Sequence, residues 1–391
     1  MLLQKLKSIF FIPSLPAGEE KSPSQSILLE ELLDQWHAHM LKEGTFSLGT
    51  MNNYSSVIKT IKCMPISKMP IETIDTHELQ IFFDSLVVGY VRLDGTFVSG
   101  YSHSHILAFS AVFQGAFRYA VYPCKMIQEN PMQQVILPRG KGESELFYSS
   151  KMPEQEQKVL TDGQFQSIVK FLEERNNPAL LPIEIAYYTG LRLGEVCALL
   201  WEDINLQEQY MVIRRSVMMN RLENNRLEFS ATKRNKVRYV YFGNALKEIL
   251  MKAKEEQEKQ RQKLGKAYKS NYYEQVALNQ KLHFPLYTRN ETEKLPDSFQ
   301  KINMVCLRPD GSYESRRTVS SVCSRLKEQL PGMEHFHFHM LRHTYTCNLL
   351  RAGARPKDVQ ELLGHNDINT TMNVYAHSDR EEIKRIVEKL L

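Results

Sequence analysis

Residues 335–343 read His335-Phe-His-Phe-His339-Met-Leu-Arg342-His343, and Leu363-Gly-His365 and Tyr375 follow downstream. This is the densest run of chemistry-bearing side chains in the sequence, and each piece alone has an ordinary explanation. A histidine on a helix face is usually structural. His339 and His343, four apart, share a helical face as zinc-binding histidines do. Yet no Glu stands between them in the HExxH manner, and no cysteine or carboxylate lies at ligand spacing, so a metal site is not favoured. A tyrosine ten residues beyond His365 means nothing by itself.

Upstream, Thr189-Gly-Leu-Arg192-Leu-Gly-Glu195 places an arginine directly after a helix-ending Thr-Gly. Its neighbours Ile185, Tyr188, Leu191, Val196 and Leu199 are apolar, and a cation there needs an anion. Glu195 supplies one as an internal i,i+3 pair. A phosphate is the alternative, because the planar guanidinium fork binds it in a bidentate manner.

Composition limits the classes of protein that can contain such a cluster. Of 391 residues, 42% are hydrophobic and 24% charged, which excludes a disordered chain and a membrane-embedded one and suits two or three domains. Lys and Arg number 50 against 45 Asp and Glu, a balance that permits nucleic-acid binding without demanding it. No apolar run approaches the roughly 20 residues of a membrane span. The greasy patch from Ile9 to Ile12 is shorter than a signal-peptide core of about 7–15 residues, which argues against export. The six cysteines, Cys63, Cys124, Cys197, Cys306, Cys323 and Cys347, form no CxxC, as expected of a reducing cytoplasm.

Apolar spacing predicts a mainly α chain with a small antiparallel β-sheet. Residues 1–25, with Pro13, Pro16 and Pro23, read as a loose leader. A helical domain is expected over 26–137. Its first helix starts at Ser26, its second covers about 48–61, and its third opens on an Asp75/Glu78 capping box. The stretch GYVRLDGTFVSG predicts a hairpin turning on Asp94-Gly95. A fourth helix follows from Ser102 to about Met126, stopped by Asn130-Pro131. The span 138–159 is the clearest linker. A second domain, 160–391, opens with helices over Leu160–Glu174, Pro178–Tyr188 and Leu193–Leu200. Strands are expected at Tyr210–Arg215, Arg226–Phe229 and Arg238–Phe242. Residues 245–280, dense in Lys, Glu and Gln, read as a solvated helix and a surface insertion. From Thr318 onward the pattern is helical, ending in an amphipathic helix over 379–391.

Taken together, Thr189-Gly-Leu-Arg192, a following lysine, His339-Met-Leu-Arg342-His343, Leu363-Gly-His365 and Tyr375 resemble the tyrosine recombinase (phage integrase) family. Asp367-Ile-Asn-Thr-Thr-Met-Asn-Val-Tyr375-Ala-His is most similar to integrases of Gram-positive phages and conjugative transposons. The resemblance covers the whole second domain and, more loosely, Gln25 to Ile136, which resembles the family's core-binding domain. It implies a C-shaped clamp around duplex DNA, with the linker crossing the groove. By this resemblance, Arg192 and Arg342 bind the scissile phosphate, His339 and His365 assist around it, and Tyr375 is the nucleophile. The family's hairpin lysine corresponds to Lys233, with Arg234 and Lys236 close by in sequence. Lys59, Lys62, Arg118, Arg139 and Lys141 are candidate phosphate contacts.

The chemistry of a phosphodiester explains these residue types. Attack raises charge on the non-bridging oxygens, and each preorganised donor that neutralises it is worth about 10²–10³ in rate. A phenol attacks, leaving a 3′-phosphotyrosine and a free 5′-hydroxyl. A lysine among arginines has a depressed pKa and can protonate the leaving oxygen. His339 is then the acceptor for the tyrosine proton and His365 a donor to the phosphate. The covalent link preserves the bond energy, so no cofactor, neither ATP nor metal, is required.

The resemblance further implies duplex DNA at core-type sites as partner and a homotetramer on two duplexes, with the 379–391 helix exchanged in trans. A directionality factor is a further partner of such systems, and no membrane partner is expected. Only about 25 residues precede the first helix, fewer than the roughly 60 of an independently folding arm-site domain. The competing readings are a chromosome-dimer resolvase, against which the insertion and the hairpin argue, and a DNA-binding accessory factor or repressor, which has no need of a nucleophile. A type IB topoisomerase shares the chemistry but works as a monomer.

Overall fold

The computed structural model describes residues 26–44, 46–138, 159–221, 223, 225–232, 237–278 and 281–364. The expected leader, the linker from 139 to 158, Lys233 with its neighbours 234–236, and the chain from His365 onward lie outside the described residues. Contacts divide the chain into two compact units, Met1–Leu41 with Asn53–Tyr148, and Lys42–Asn52 with Ser149–Leu391.

Helices dominate the first unit. Helix α1 (Leu29–Glu43) buries Leu29, Leu32, Leu33, Trp36 and Met40, the stripe its spacing predicts. Helix α2 (Leu48–Lys62) follows, and α3 (Thr76–Val88) opens where the Asp75 carboxylate accepts the Glu78 N–H at 2.9 Å. Strands β1 (Gly89–Val91) and β2 (Phe97–Ser99) pair antiparallel, and their turn carries Gly95 at φ +82°, a conformation that suits glycine. Helix α4 (His103–Val121) buries Ile106, Phe109, Val112, Phe113 and Phe117. It ends several residues before the expected stop at Asn130-Pro131. Pro123 forces the preceding residue out of the helical region, and Tyr122 is extended at φ −149°, ψ 129°. Asn130 instead caps a short 3₁₀ turn by accepting the Met132 N–H.

In the second unit, α5 (Asp162–Glu173) is opened by a Thr161/Gln164 capping box. Helix α6 (Leu180–Thr189) buries Pro182, Ile183, Ile185, Ala186 and Thr189, and α7 (Leu193–Val196) is a single turn, shorter than the helix expected to Leu200. Strands β3 (Ile204–Asn205), β4 (Tyr210–Ile213), β5 (Arg215–Asn220), β6 (Arg226–Ala231) and β7 (Arg238–Tyr241) come next. The two arms of this ribbon change sheets together. Strand β5 pairs with β6 from Arg215↔Ala231 to Asn220↔Arg226, and β4 pairs with β7 from Tyr210↔Tyr241 to Ile213↔Arg238. On one arm the two pairings are separated by Arg214 alone, and on the other they stop at Ala231 and resume at Arg238.

Helix α8 (Asn244–Leu264) is solvated as expected, burying only Leu246 and Leu250. The expected surface insertion after it is instead built of β-strands. Strands β8 (Lys269–Glu274), β9 (Val276–Leu278), β10 (Lys281–Asn290) and β11 (Phe299–Ile302) extend the ribbon in the order β11-β8-β10-β6-β5, with β9 on β10. Polar residues are buried in it through hydrogen bonds. Asn271 donates to the Gly311 carbonyl and accepts from Thr288, each at 2.8 Å. Helices α9 (Arg316–Gln329), α10 (Phe338–Arg351) and α11 (Pro356–Leu363) complete the described chain. The core joins Phe165, Ile183, Ile185, Val240, Leu246, Val322 and Leu341. No helix among the described residues is long and apolar enough to cross a membrane.

Candidate active site

A helix leaves its last carbonyls without partners inside the helix, and this end is the negative pole of its dipole. At the end of α11 three consecutive carbonyls accept from three arginines that are far apart in sequence. Leu362 O takes Arg238 Nε at 3.0 Å, Leu363 O takes Arg342 Nη2 at 2.8 Å, and Gly364 O takes Arg192 Nη2 at 3.2 Å. Gly364 ends α11 in the left-handed conformation, φ +65°, and His365 is the next residue.

Arg192 reaches this point because α6 stops abruptly. Gly190 adopts φ +66° as the α6 cap, and a Cβ there would lie 2.6 Å from the Tyr345 ring and 2.7 Å from Leu363. Its carbonyl accepts Arg342 Nη1 at 2.8 Å. Arg342 thus binds the ends of two helices and is only 2% exposed. Desolvation, then the charge of Arg192 and of Arg238, lowers its pKa to about 9, with Glu195 opposing.

The ion pair anticipated between Arg192 and Glu195 is present, with Nη1 donating to Oε1 at 3.0 Å. Glu195 is also the N3 residue of α7 and accepts the Arg192 backbone N–H at 3.0 Å. Its principal partner, however, is Arg238, whose two terminal nitrogens donate to both carboxylate oxygens at 3.1 and 2.7 Å. Burial by itself would raise the Glu195 pKa, but the bonds from Arg238 and then Arg192 overcome it and hold the carboxyl below its usual range. Arg192 remains 32% exposed, and its side-chain bonds to Glu195 and Gly364 use two of a guanidinium's five donors. Three guanidinium charges against one carboxylate leave the cluster electropositive.

His339 lies in the first turn of α10 and opens to solvent. Its ring meets that of His343 edge-on, with centroids 4.8 Å apart. Desolvation on its packed side, then the charges of His343, Arg342, His337 and Arg192, keep it below the ordinary imidazole pKa, so that it is a neutral proton acceptor at pH 7. Tyr345, nearly two turns on, is a packing residue: burial raises its phenol to about 12.

Of the residues singled out in the sequence, Arg192, His339 and Arg342 come together here. Lys233, His365 and Tyr375 lie outside the described residues. Lys233 falls in the 232–237 segment that leads into Arg238, and His365 directly follows the α11 end. Arg238 was missed by sequence reasoning, where it is one of several basic residues between 233 and 238. Its only signal is position, at the strand start just beyond the lysine-bearing segment. Among the candidate phosphate contacts, Lys62 is paired with Asp34, and Lys59 and Arg118 are exposed. Arg139 and Lys141 lie outside the described residues.

The sequence model of the phage integrase family matches residues 158–382, more than half of the chain. The chain belongs to the phage integrase family. The tyrosine recombinase XerC of Bacillus pumilus (strain SAFR-032) is 27% identical over 261 residues, 67% of this chain and 66% of that protein, so the chain spans just under two thirds of that relative. The integrase of Staphylococcus phage L54a is 22% identical over 391 aligned residues, covering 95% of each. The Tn1549 transposon integrase, solved in complex with transposon right-end DNA, shares the fold with a TM-score of 0.62. It is 17% identical over 93% of this chain and 99% of that one.

Proposed function

We propose that this phage integrase family member is the integrase or transposase of a mobile element, cutting and rejoining duplex DNA through a 3′-phosphotyrosine. The observation that carries the reading is the convergence of Arg192, Arg238 and Arg342 on the α11 terminus around one carboxylate, an excess of fixed positive charge beside a neutral histidine. Arg192 and Arg342 hold the scissile phosphate. Tyr375 attacks phosphorus while His339 accepts its proton. The bond to the 5′ oxygen breaks as Lys233 protonates it, and His365 donates to a non-bridging oxygen. Attack by another strand's 5′-hydroxyl reverses the step. Full-length similarity to a phage integrase supports the mobile-element reading.

The partner is duplex DNA at core-type sites, bound by the helical domain 26–137 and the catalytic domain 160–391 joined by the 138–159 linker. Exchange between two duplexes cuts four strands, and one tyrosine per subunit then requires a homotetramer. The 379–391 helix passes to a neighbour, a directionality factor sets the outcome, and the enzyme works in the cytoplasm. Similarity to XerC favours a second reading, a chromosome-dimer resolvase. Recombination of the DNA ends flanking the gene supports the integrase, and action confined to a chromosomal site supports the resolvase.

A nicked suicide duplex tests the chemistry. The wild type should be trapped as a covalent adduct, whereas Tyr375→Phe binds the duplex and forms none. An adduct from Tyr375→Phe, or none from the wild type on its own element ends, overturns the assignment.

A further inference from the structure

We infer that Arg238 is a positioning residue of the phosphate site, which keeps Arg192 available to DNA by occupying the carboxylate that Arg192 would otherwise grip with its whole fork. The inference rests on the recombinase reading above, and the geometry supplies its substance. Glu195 is 3% exposed and must be neutralised in place. Arg238, with a side chain only 10% exposed, binds both of its oxygens, and Arg192 contributes one side-chain bond to Oε1 and its backbone N–H to Oε2. A carboxylate accepts bidentate arginine readily. Without Arg238, the nearest cation that can offer Glu195 a full fork is Arg192, only three residues away. Turning that fork onto Glu195 takes it from Gly364 O and from any phosphate. The Nε bond from Arg238 to Leu362 O adds a second restraint, tying the start of β7 to the α11 end that precedes His365.

The experiment measures single-turnover cleavage of two suicide duplexes by the full chain. One carries the ordinary scissile phosphodiester and the other an uncharged methylphosphonate at that position. A residue that acts through Arg192 matters because the phosphate is charged, so its loss should matter less on the neutral substrate. Arg238→Ala should cleave the phosphodiester about 10-fold or more slowly, with duplex affinity within about 3-fold of wild type, and most of that defect should vanish on methylphosphonate, as for Arg192→Ala. Combined with Glu195→Gln, the loss should be far less than the product of the single losses, because removing the carboxylate releases Arg192. Should Arg238→Ala not fold, Arg238→Lys keeps the charge but cannot reach both oxygens and Leu362 O, and should show the same substrate-dependent defect. Equal defects on both substrates, multiplicative losses with Glu195→Gln, or wild-type cleavage by Arg238→Ala would each overturn the inference. If the wild-type protein forms no adduct on the phosphodiester, the recombinase reading itself falls.

Discussion

Arg192 and Arg342, the two proposed phosphate arginines, occupy different environments, and their substitutions should separate accordingly. Arg192 is 32% exposed at the start of a one-turn helix, whereas Arg342 is 2% exposed and closes the ends of α6 and α11. Both alanine variants should lose at least about 10²-fold in cleavage, as for removal of one charge-stabilising donor. Arg342→Ala should also lose stability by about 2–5 kcal/mol, because the Gly190 and Leu363 carbonyls are left buried without their donor. Denaturant unfolding of the two variants checks this, and equal stabilities would show that Arg342 is not a structural tie. The sequence made both arginines legible because each stands in a short motif with a histidine or glycine at fixed spacing. Arg238 has no such motif, and its significance arises only from folding, which brings β7 onto the α11 end and Glu195 between two forks.

At the scale of elements, the abrupt stop of α6 determines where Arg192 stands. Gly190 combines φ +66° with contact against the Tyr345 ring and Leu363. Gly190→Ala should therefore cost about 2–4 kcal/mol, from left-handed backbone strain of roughly 1 kcal/mol and overpacking of about 1–3 kcal/mol. It should also slow cleavage by displacing the carbonyl that orients Arg342, and a variant with wild-type unfolding and cleavage would refute that account. Element by element, legibility followed the strength of the apolar period. Helices α1, α3 and α4 have clean stripes and were readable, apart from the α4 end, where Pro123 acts before Asn130-Pro131. Strands β8 and β10 were not, because Lys269-Ser-Asn-Tyr-Tyr-Glu274 has little apolar alternation and buries the polar Ser270 and Asn271, the latter through side-chain hydrogen bonds. Composition cannot distinguish such a strand from a solvated loop.

For the whole molecule, the proposed recombinase function raises the question of how a subunit avoids cutting before its partners are in place. In sequence, Ile383, Ile386, Val387, Leu390 and Leu391 share one stripe of the segment after Asp379, with Glu381, Glu382, Lys384, Arg385 and Lys389 elsewhere on it. An apolar stripe so close in sequence to the proposed nucleophile needs a cover, either its own catalytic domain or a neighbour's. Passing it to a neighbour in a head-to-tail arrangement closes a ring and couples the position of Tyr375 to assembly. Deleting residues 380–391 should then leave half-site binding by one subunit intact, weaken cooperative filling of the second half-site, and abolish recombination. Cleavage of suicide substrates should change markedly, because the restraint on Tyr375 is gone. Gel-shift titration of half- and full-site duplexes, alongside an intermolecular recombination assay, provides the test. Cooperative pairing and normal recombination by the truncated chain would mean that the stripe packs on its own subunit, and the control of cutting would have to lie in the DNA or in the α11 hub instead.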